Sequence, residues 1–372
     1  MKVRDAVIEY QKTLDDAGTL IKDLDIVDPV SALYLEFEAT NGSISNKGNF
    51  ISDVITKIEV VDGSQVLYGV NMSQLEALYL YKLGKMPTMF PSEWPGGTQR
   101  HGCLLMFGRR LWDREYAQDF TRYRNPQLKI TSNLDAVRTK STTTAFVTAT
   151  LKATIVAKVM EDVTKPGKYL RAKEIDSFVS AGSGDKRVEL VYDYPYRLLL
   201  LRAYLLGYDI NEVISNFKLT CDTDKFIPFD RKVQQLDAEV LPLGVGVLKH
   251  DMFFGHGDSI RLLFNKEPFC CVYAQAPGTP RMFNLTAQWS SQLSEVEVYA
   301  HDGTLDTTDR KVTAWEHGHA LHATLPVSFG EMDRPDSWFD PKPFKKIEAV
   351  LTQGTASAAC QVVLEQDVPV GV

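Results

Sequence analysis

Three histidines near the carboxyl-terminal end have the spacing of metal ligands. His317 and His319 lie two residues apart in the segment WEHGHALH, so on a β-strand both imidazoles would share one face and reach a common metal ion. Cupins bind metal with such a pair, but they also need a glutamate four or five residues later and a further histidine. Here Ala323 and Thr324 occupy the glutamate positions, and no histidine follows His322. We therefore predict exposed strand or loop histidines and no metal site.

Other patterns that could support catalysis are also incomplete. Asp222, Asp224 and Asp230 lack the glycine and the terminal glutamate of a calcium-binding loop, so they predict turns. In LPLGVGVLKH, Lys249 stands where a dinucleotide-binding fingerprint has its third glycine. The sequence contains no G-x-S-x-G nucleophile motif. It thus predicts no catalytic, cofactor-binding or metal-binding residues, and no enzyme.

The segment RRLWDREYAQDFTRYR, from Arg109 to Arg124, combines arginines with aromatic residues. Trp112, Tyr116 and Phe120 recur every four residues, which predicts a helix with one apolar face. The arginines and aromatics would suit phosphate binding with base stacking, but the intervening acids reduce the positive charge. A core-packed helix is the favoured interpretation, and a subunit contact is the alternative.

Composition describes an ordinary globular protein with an acidic balance. The 372 residues are 44% hydrophobic and 24% charged, with a net charge of −7, and this length suggests two domains. Packaging of nucleic acid needs a basic surface, so we expect no direct, sequence-specific nucleic-acid binding. The five cysteines form no C-x-x-C pair, which indicates reduced thiols and folding in a reducing cytoplasm.

Residues 1–29 show a helical spacing of apolar side chains with charged residues between them. The apolar positions are Val3, Val7, Tyr10, Leu14, Ala17 and Ile21. We predict an amphipathic helical arm that packs on its own protein, with contact to a membrane surface as the alternative.

Beyond this arm, apolar and polar residues alternate as they do in β-strands. The alternation covers residues 33–39 in LYLEFEA and a longer run over residues 145–159, where small apolar residues share one face. The same pattern returns at residues 356–364. These runs predict strands with one buried face.

Turn and cap residues divide the strands. Asp62-Gly63 predicts a type I′ hairpin turn. Ser73 and Glu76 fit the capping box of a helix that Gly84 would end.

Two segments repeat this layout within the chain. A shift of 159 residues carries Val54-Ile55 onto Val213-Ile214, and a shift of 161 carries Gln74-Leu75 onto Gln235-Leu236. Each segment has a strand, an aspartate turn and a short helix in the same order. The order predicts an internal duplication.

Short strands with Gly, Asp and Pro turns predict an all-β protein. Halves of this size exceed immunoglobulin domains and suit eight-stranded jelly rolls with short helices in the loops. The segment SAGSGDK is the best linker between them. We predict a helical arm over residues 1–29, a first jelly roll over 30–184 and a second over 185–372.

Several sequence blocks have a recognisable order from Val30 onward. They are ISDVITKIEVVDGSQVLYGVNMSQLEALYLYKLGKMP, RNPQLKI, and RAKEIDSF followed by a glycine linker and VELVYDYPYRLLLLRAY. In this order the blocks resemble the double jelly-roll major capsid proteins of tailless icosahedral bacterial viruses. The resemblance implies two tandem jelly rolls, and three chains that form a pseudo-hexagonal capsomer of an icosahedral shell.

The resemblance also implies partners and a location. We expect a homotrimer that contacts neighbouring capsomers, penton proteins and minor capsid proteins, in a virion capsid assembled in the host cytoplasm. The amino-terminal helix would face an internal viral membrane or a neighbouring capsomer.

Two other functions stay open at this point. A glycan-binding β-sandwich, of a receptor-binding or lectin-like kind, would use exposed aromatic platforms, for which Trp289, Trp315 and Trp338 are candidates. A bicupin-like metalloenzyme would need the carboxyl-terminal histidines to bind a metal ion.

Overall fold

The structure is a computed structural model that describes residues 1–44, 46, 48–137, 145–240, 246–254, 271–275, 283–285, 310–318 and 320–371. Strands dominate these residues, and four α-helices lie between them. Within the described part of the chain, no helix has the length and apolar character needed to cross a membrane.

The first half of the chain contains two helices and two facing sheets. The helices are α1 (Ile51–Val54) and α2 (Met72–Leu83). The strands are β1 (Lys2–Thr13), β2 (Ala17–Asp23), β3 (Val30–Thr40), β4 (Ile55–Asp62), β5 (Gln65–Val70), β6 (Thr88–Phe90), β7 (Thr98–Met106), β8 (Pro126–Asn133) and β9 (Lys152–Glu161). One sheet has the order β1-β9-β3-β7-β6, and the other places β5, β4, β8 and β2 side by side.

The second half repeats this arrangement with additional strands. Its helices are α3 (Ile210–Val213) and α4 (Val233–Val240). Its strands are β10 (Lys168–Val179), β11 (Asp185–Glu189), β12 (Tyr196–Tyr204), β13 (Ile214–Cys221), β14 (Phe226–Lys232), β15 (Gly246–Phe254), β16 (Cys271–Gln275), β17 (Phe283–Leu285), β18 (Arg310–Gly318), β19 (Thr324–Ser328), β20 (Ile347–Gln353) and β21 (Ala359–Pro369). Three four-stranded arrays result, in the orders β19-β12-β21-β10, β11-β20-β13-β14 and β15-β18-β16-β17.

A parallel bridge joins the two halves into one continuous sheet. It pairs Gly69 on β5 with Lys173 on β10, so that eight strands run from β19 to β2. Strand β10 pairs along most of its length with β21, although β10 precedes residue 184. The domain boundaries at residues 29/30 and 184/185 stay predictions.

Alternating burial places the core between the facing sheets. Along β8 the side chains alternate strictly between buried and half-buried positions. On β9, Ala153, Ile155, Ala157 and Val159 are buried and face the interior, as their spacing predicts. These residues belong to an apolar cluster that continues into the second half.

The predicted duplication is confirmed at the level of secondary structure. A four-residue helix leads directly into an eight-residue strand at α1–β4 and again at α3–β13. A second strand and a helix follow in both halves, as β5–α2 and β14–α4. The repeated sequence therefore encodes a repeated structural unit.

The predicted amino-terminal helix is wrong, because residues 2–13 and 17–23 form strands β1 and β2. Strand β1 pairs with β9 from Lys2 opposite Glu161 to Thr13 opposite Lys152. Its apolar residues lie on both faces, since Ala6 and Ile8 pack against the core while others point outward. Apolar residues on both faces of an edge strand reproduced the spacing of a helix by coincidence.

The predicted helix over residues 109–124 is also absent, and only Phe120–Arg122 form a short 3-10 turn. The Asp113 carboxylate accepts hydrogen bonds from the backbone N–H groups of Arg109 and Glu115. Trp112 adopts a left-handed backbone with φ 64°. A side chain that binds nearby backbone groups competes with helical hydrogen bonds, which explains the irregular segment.

Helix α2 forms as predicted, but its cap lies two residues earlier. Asn71 is the N-cap, and its side chain and that of Gln74 form the reciprocal hydrogen bonds of a capping box. Ser73 and Glu76, the predicted pair, lie inside the helix. Gly84 ends the helix with φ 61°, as predicted.

Two further local predictions need adjustment. The β4–β5 hairpin forms, but Gly63 is its only positive-φ residue, which indicates a type II′ rather than a type I′ turn. Strand β9 begins at Lys152, several residues later than predicted, because Ala149 turns the chain with φ 59°.

The described thiols are reduced, as the cysteine pattern predicts. Cys103, Cys221 and Cys360 are free and buried. Burial raises the pKa of Cys221 and of Cys360 to about 11, so both stay protonated at neutral pH.

Candidate functional site

Of the three histidines that prompted the metal comparison, the structure describes the side-chain environment of His322. His317 lies on β18, and His319 lies outside the described residues. His322 is 1% exposed, so the prediction of an exposed histidine is wrong for this residue. Among the described residues, no group of three or more His, Cys, Asp or Glu side chains is arranged to hold a metal ion.

His322 instead joins a buried cluster around the Glu76 carboxylate. Ser52 Oγ donates to Glu76 Oε2 at 2.8 Å, and His101 Nδ1 lies 2.9 Å from Oε1. His322 Nε2 forms a short hydrogen bond with Oε2. Three side chains from three elements therefore bind one carboxylate, and one of them belongs to the second half of the chain.

The turn that carries His322 has an unusual backbone. Ala320, His322 and Ala323 all have φ between 52° and 57°, a left-handed conformation that non-glycine residues rarely adopt. Each such residue costs on the order of 1–2 kcal/mol. The backbone is held by Arg202, whose Nε donates to the His322 carbonyl at 3.2 Å.

The cluster keeps Glu76 ionised. Burial alone would raise the pKa of this carboxyl, but the neighbouring His101 and His322 outweigh it and lower the pKa to about 2. The same buried charge, together with burial, raises the pKa of the Cys103 thiol.

Ser52, His101 and Glu76 have the composition of a hydrolase triad but not its geometry. In a triad, the serine and the carboxylate bind opposite nitrogens of the imidazole. Here Ser52 Oγ lies 3.1 Å from His101 Nδ1, the same atom that faces Glu76. Side chains that are at most 3% exposed also leave no access for a substrate. The cluster is structural rather than catalytic.

A second buried charge network lies at the carboxyl-terminal end of α2. The Glu365 carboxylate forms ion pairs with Lys82 from α2 and Arg197 from β12, and all three side chains are at most 2% exposed. Burial would raise the pKa of Glu365, but the two cations lower it. Burial also lowers the pKa of Lys82, and the attraction of Glu365 only partly compensates.

Helix α2 thus ties the first half to the second along its length, and we call this set of contacts the seam. Tyr81 Oη donates to the Thr324 carbonyl at 2.6 Å, which adds a neutral hydrogen bond beside the charged groups. The seam pairs are Gln74–Glu174, Glu76–His322, Tyr81–Thr324 and Lys82–Glu365. Both halves are therefore fixed in one orientation by polar contacts between buried side chains.

The molecule exposes apolar side chains on its two amino-terminal strands, which lie at the edges of two different sheets, β1 in the five-stranded sheet and β2 in the eight-stranded sheet. Strands β1 and β2 are edge strands. Val7 and Tyr10 on β1 are 64% and 76% exposed, and Val3 and Ile21 are about half exposed. We call these four residues the β1–β2 flank. An exposed apolar edge strand is a characteristic contact surface between chains.

The other sequence candidates have structural roles. Arg109 Nε donates to Asp113 Oδ2 at 2.7 Å, and its guanidinium stacks over Tyr116, so it is not free to bind a phosphate. Asp222 and Asp224 lie in the turn between β13 and β14, as predicted, and Asp222 Oδ1 also accepts from the backbone N–H groups of Lys345 and Lys346. Asp230 lies on β14, so the turn prediction is wrong for this residue.

Of the three tryptophans that were candidates for a glycan platform, neither of the two in the described part of the chain is exposed. Trp338 is buried against Tyr116, and its Nε1 donates to the Glu331 carbonyl at 2.9 Å. Trp315 is half-buried on β18, and Trp289 lies outside the described residues.

No protein-family model matches the sequence, and no curated protein matches it. Solved structures match over nearly the whole chain. A structure of Sulfolobus turreted icosahedral virus gives a TM-score of 0.57 at 11% identity, covering 100% of this chain and 91% of that chain. VP54 of PBCV-1 gives 0.57 at 10%, covering 98% and 93%. The major capsid protein P2 of bacteriophage PM2 gives 0.53 at 10%, covering 99% and 98%.

These similarities confirm the predicted fold. The chain is an all-β protein with two tandem jelly rolls, the double jelly-roll fold of viral major capsid proteins. The full-length match on both sides means that each jelly roll and their order are shared, although the sequences have diverged to about one identical residue in ten.

Proposed function

We propose that this chain is the structural major capsid protein of an icosahedral virus, and that three copies form a pseudo-hexagonal capsomer. The full-length match to double jelly-roll capsid structures is the observation that carries the proposal. Two similar domains in each of three chains give six similar lobes, which can tile a lattice around a closed three-fold interface.

The seam supports this role because a shell subunit must keep its two lobes in a fixed relation. Buried ion pairs and hydrogen bonds between α2 and the second half provide that rigidity without a flexible linker. The absence of a catalytic arrangement at the Glu76 cluster is consistent with a non-enzymatic protein.

The β1–β2 flank is the surface that we assign to contact with a neighbouring chain of the trimer. Its two strands are edges of sheets in the first half, and β2 lies at the end of the eight-stranded sheet opposite β19, so each copy could present its first half to another copy's second half. Burying Val7 and Tyr10 would remove two of the most exposed large apolar side chains from water.

The remaining partners follow from the same proposal. Neighbouring capsomers, penton proteins and minor capsid proteins would complete the shell, and assembly would occur in the host cytoplasm, where buried thiols stay reduced. We also propose that the chain does not bind nucleic acid sequence-specifically. A membrane contact through an amino-terminal helix has no basis, because that segment forms strands.

Solution mass and negative-stain images of the purified full-length chain test the proposal. We expect a particle of about 125 kDa, three times the 41.8 kDa chain, with a six-lobed outline. A monomer or dimer without that outline would contradict it. Glycan-array binding by such a monomer would favour the glycan-binding alternative, and stoichiometric iron, zinc or manganese would favour the metalloenzyme.

A pair of variants locates the trimer contact. The double variant Val7→Asp/Tyr10→Asp should fold and stay monomeric, because it places two charges in the flank. Val179→Asp, at a valine that is 72% exposed on β10, is the matched control and should still form trimers. If both variants formed trimers, the β1–β2 flank would not be the trimer contact, but the capsid proposal would stand.

A further inference from the structure

The Glu76 cluster holds more titratable groups than a rigid connection needs. A neutral hydrogen bond such as Tyr81 to Thr324 fixes the same helix without any charge. In contrast, Glu76 is surrounded by two imidazoles, the side chains whose charge changes closest to neutral pH. One of these imidazoles belongs to each half of the chain.

We infer that Glu76, His101 and His322 form an acid-sensitive bolt between the two jelly rolls. The bolt is closed when both imidazoles bind the single Glu76 carboxylate, and it is released when both imidazoles carry a proton. This inference concerns the chain itself and does not depend on its proposed role in a capsid.

Charge balance in the closed cluster gives the direction of the response. One imidazolium neutralises the Glu76 carboxylate, whereas a second one leaves a net positive charge among fully buried side chains. Protonation would also place a hydrogen on His101 Nε2, a buried atom for which the described residues provide no hydrogen-bond partner. The closed bolt therefore disfavours the second proton.

The groups that face the cluster reinforce this direction. Arg202 on β12 is buried and binds the His322 carbonyl, which adds a positive charge beside that imidazole. Strand β7 contributes Cys103, whose raised pKa keeps the thiol neutral. Strand β19 has no titratable residue. The remaining charged groups on elements packed against α2 are Asp53 on α1, Lys57, Glu59 and Asp62 on β4, Arg100 on β7, Glu174 on β10, and Arg197 with its partners Lys82 and Glu365. Arg100 pairs with Glu38 at the surface.

The left-handed turn over residues 320–323 is the part of the cluster that can move when the seam opens. Its backbone is unfavourable on its own and persists because the surroundings hold it. When the Glu76–His322 bond weakens, the turn can relax and both imidazoles reach water. An opened seam then binds more protons than the closed one, so acid favours opening. For each extra proton, closure weakens by about tenfold per pH unit below the ordinary histidine pKa of about 6.5.

Hydrogen exchange of the full-length chain tests the bolt directly. Protection factors, which correct for the intrinsic pH dependence of exchange, would be measured for α2 and for the β3–β9 core at pH 6.5 and 5.5. The opened seam takes up its second proton in this range, so we expect α2 to lose about threefold in protection while β3 and β9 keep theirs. Unchanged protection of α2, or equal losses in both regions, would overturn the inference.

Matched variants separate proton uptake from simple weakening of the seam. In His101→Asn/His322→Gln, each amide nitrogen replaces the imidazole nitrogen that faces Glu76, so the hydrogen bonds remain but the titration disappears. This variant should keep α2 protected at pH 5.5. Tyr81→Phe removes a neutral hydrogen bond of the same seam and should lower protection equally at both pH values.

If the double variant does not fold, His322→Gln alone gives the same test, and the pH response should be reduced compared with the wild type. A variant without these histidines that still loses protection as the wild type does would show that other groups cause the response, and would reject the bolt.

Discussion

Glu365 illustrates how much the seam depends on single residues. Its carboxylate forms ion pairs with two buried cations, Lys82 and Arg197, neither of which reaches solvent. A buried ion pair contributes little compared with an apolar replacement, but removal of one partner leaves an uncompensated charge in the core. The stability of the seam is therefore most sensitive to substitution of Glu365, with which both cations pair.

We predict that Glu365→Gln lowers the free energy of unfolding by about 3–5 kcal/mol, because Lys82 and Arg197 lose their counter-charge. Urea unfolding followed by circular dichroism measures this change. Arg334→Ala is the control, because it removes ion pairs that are open to solvent and should leave the midpoint unchanged. If Glu365→Gln lowered the free energy of unfolding as little as the control does, the predicted contribution of the buried network would be wrong.

Acid stability follows from the carboxylates whose pKa values are lowered in the folded protein. They are Glu76, Asp113, Asp193 and Glu365. A carboxylate with a lowered pKa stabilises the fold above its unfolded pKa, and this contribution is lost as the pH falls toward the folded value. We predict that the free energy of unfolding falls steeply from about pH 4.5 toward pH 2, where Glu76 itself titrates.

Urea titrations at pH 5, 4 and 3 check this prediction. In Glu76→Gln the decrease should be smaller than in the wild type, because one of the carboxylates that cause it no longer titrates. An identical pH dependence in both proteins would show that Glu76 has no part in acid unfolding.

Sequence reasoning could not find the Glu76 cluster. Glu76 and His322 are 246 residues apart, and no local pattern connects them. Glu76 had a plausible local role in a capping box, and His322 followed an apparent metal motif, so each residue was interpreted within its own segment. Only the docking of α2 against the second half brings them together.

At the scale of elements, period-2 patterns and turn residues predicted well where one face of a strand is buried. Strand β3 and the inner face of β9 agree with the alternation in the sequence. The alternation did not predict the amino-terminal strands, because they lie at sheet edges, where both faces accept apolar residues. Tertiary pairing with β9 then decided the structure of β1.

Substitutions at the N-terminal end of α2 can test whether the helix is capped by Asn71, as observed, or by Ser73, as the sequence predicted. We predict that Asn71→Ala lowers the free energy of unfolding by about 1 kcal/mol, because the backbone N–H of Gln74 loses its side-chain acceptor. Ser73→Ala, which changes the residue that the sequence suggested as the cap, should cost less. If Ser73→Ala lowered the free energy of unfolding more than Asn71→Ala in the same urea measurement, Ser73 rather than Asn71 would be the N-cap.

At the scale of the whole molecule, the duplication was readable from sequence because each copy keeps its own turn and helix signals. The way in which the copies join was not readable. Backbone bridges from Gly69 to Lys173 and from Tyr116 to Lys168, together with the side chains of α2, connect two halves that each have facing sheets. The seam therefore decides whether the chain behaves as one unit or as two.

We predict that the wild-type chain unfolds in one calorimetric transition at pH 7.5, with equal calorimetric and van't Hoff enthalpies, because the seam and the shared apolar cluster couple the halves. The double variant Glu76→Gln/Lys82→Met removes two charged seam groups from α2 and leaves the core strands unchanged. It should unfold in two transitions, one for each jelly roll, when measured at the same chain concentration as the wild type. Two transitions already present in the wild type would mean that α2 contributes little coupling. A single transition in the variant would mean that the continuous eight-stranded sheet, rather than the charged groups of the seam, makes the two jelly rolls one cooperative unit.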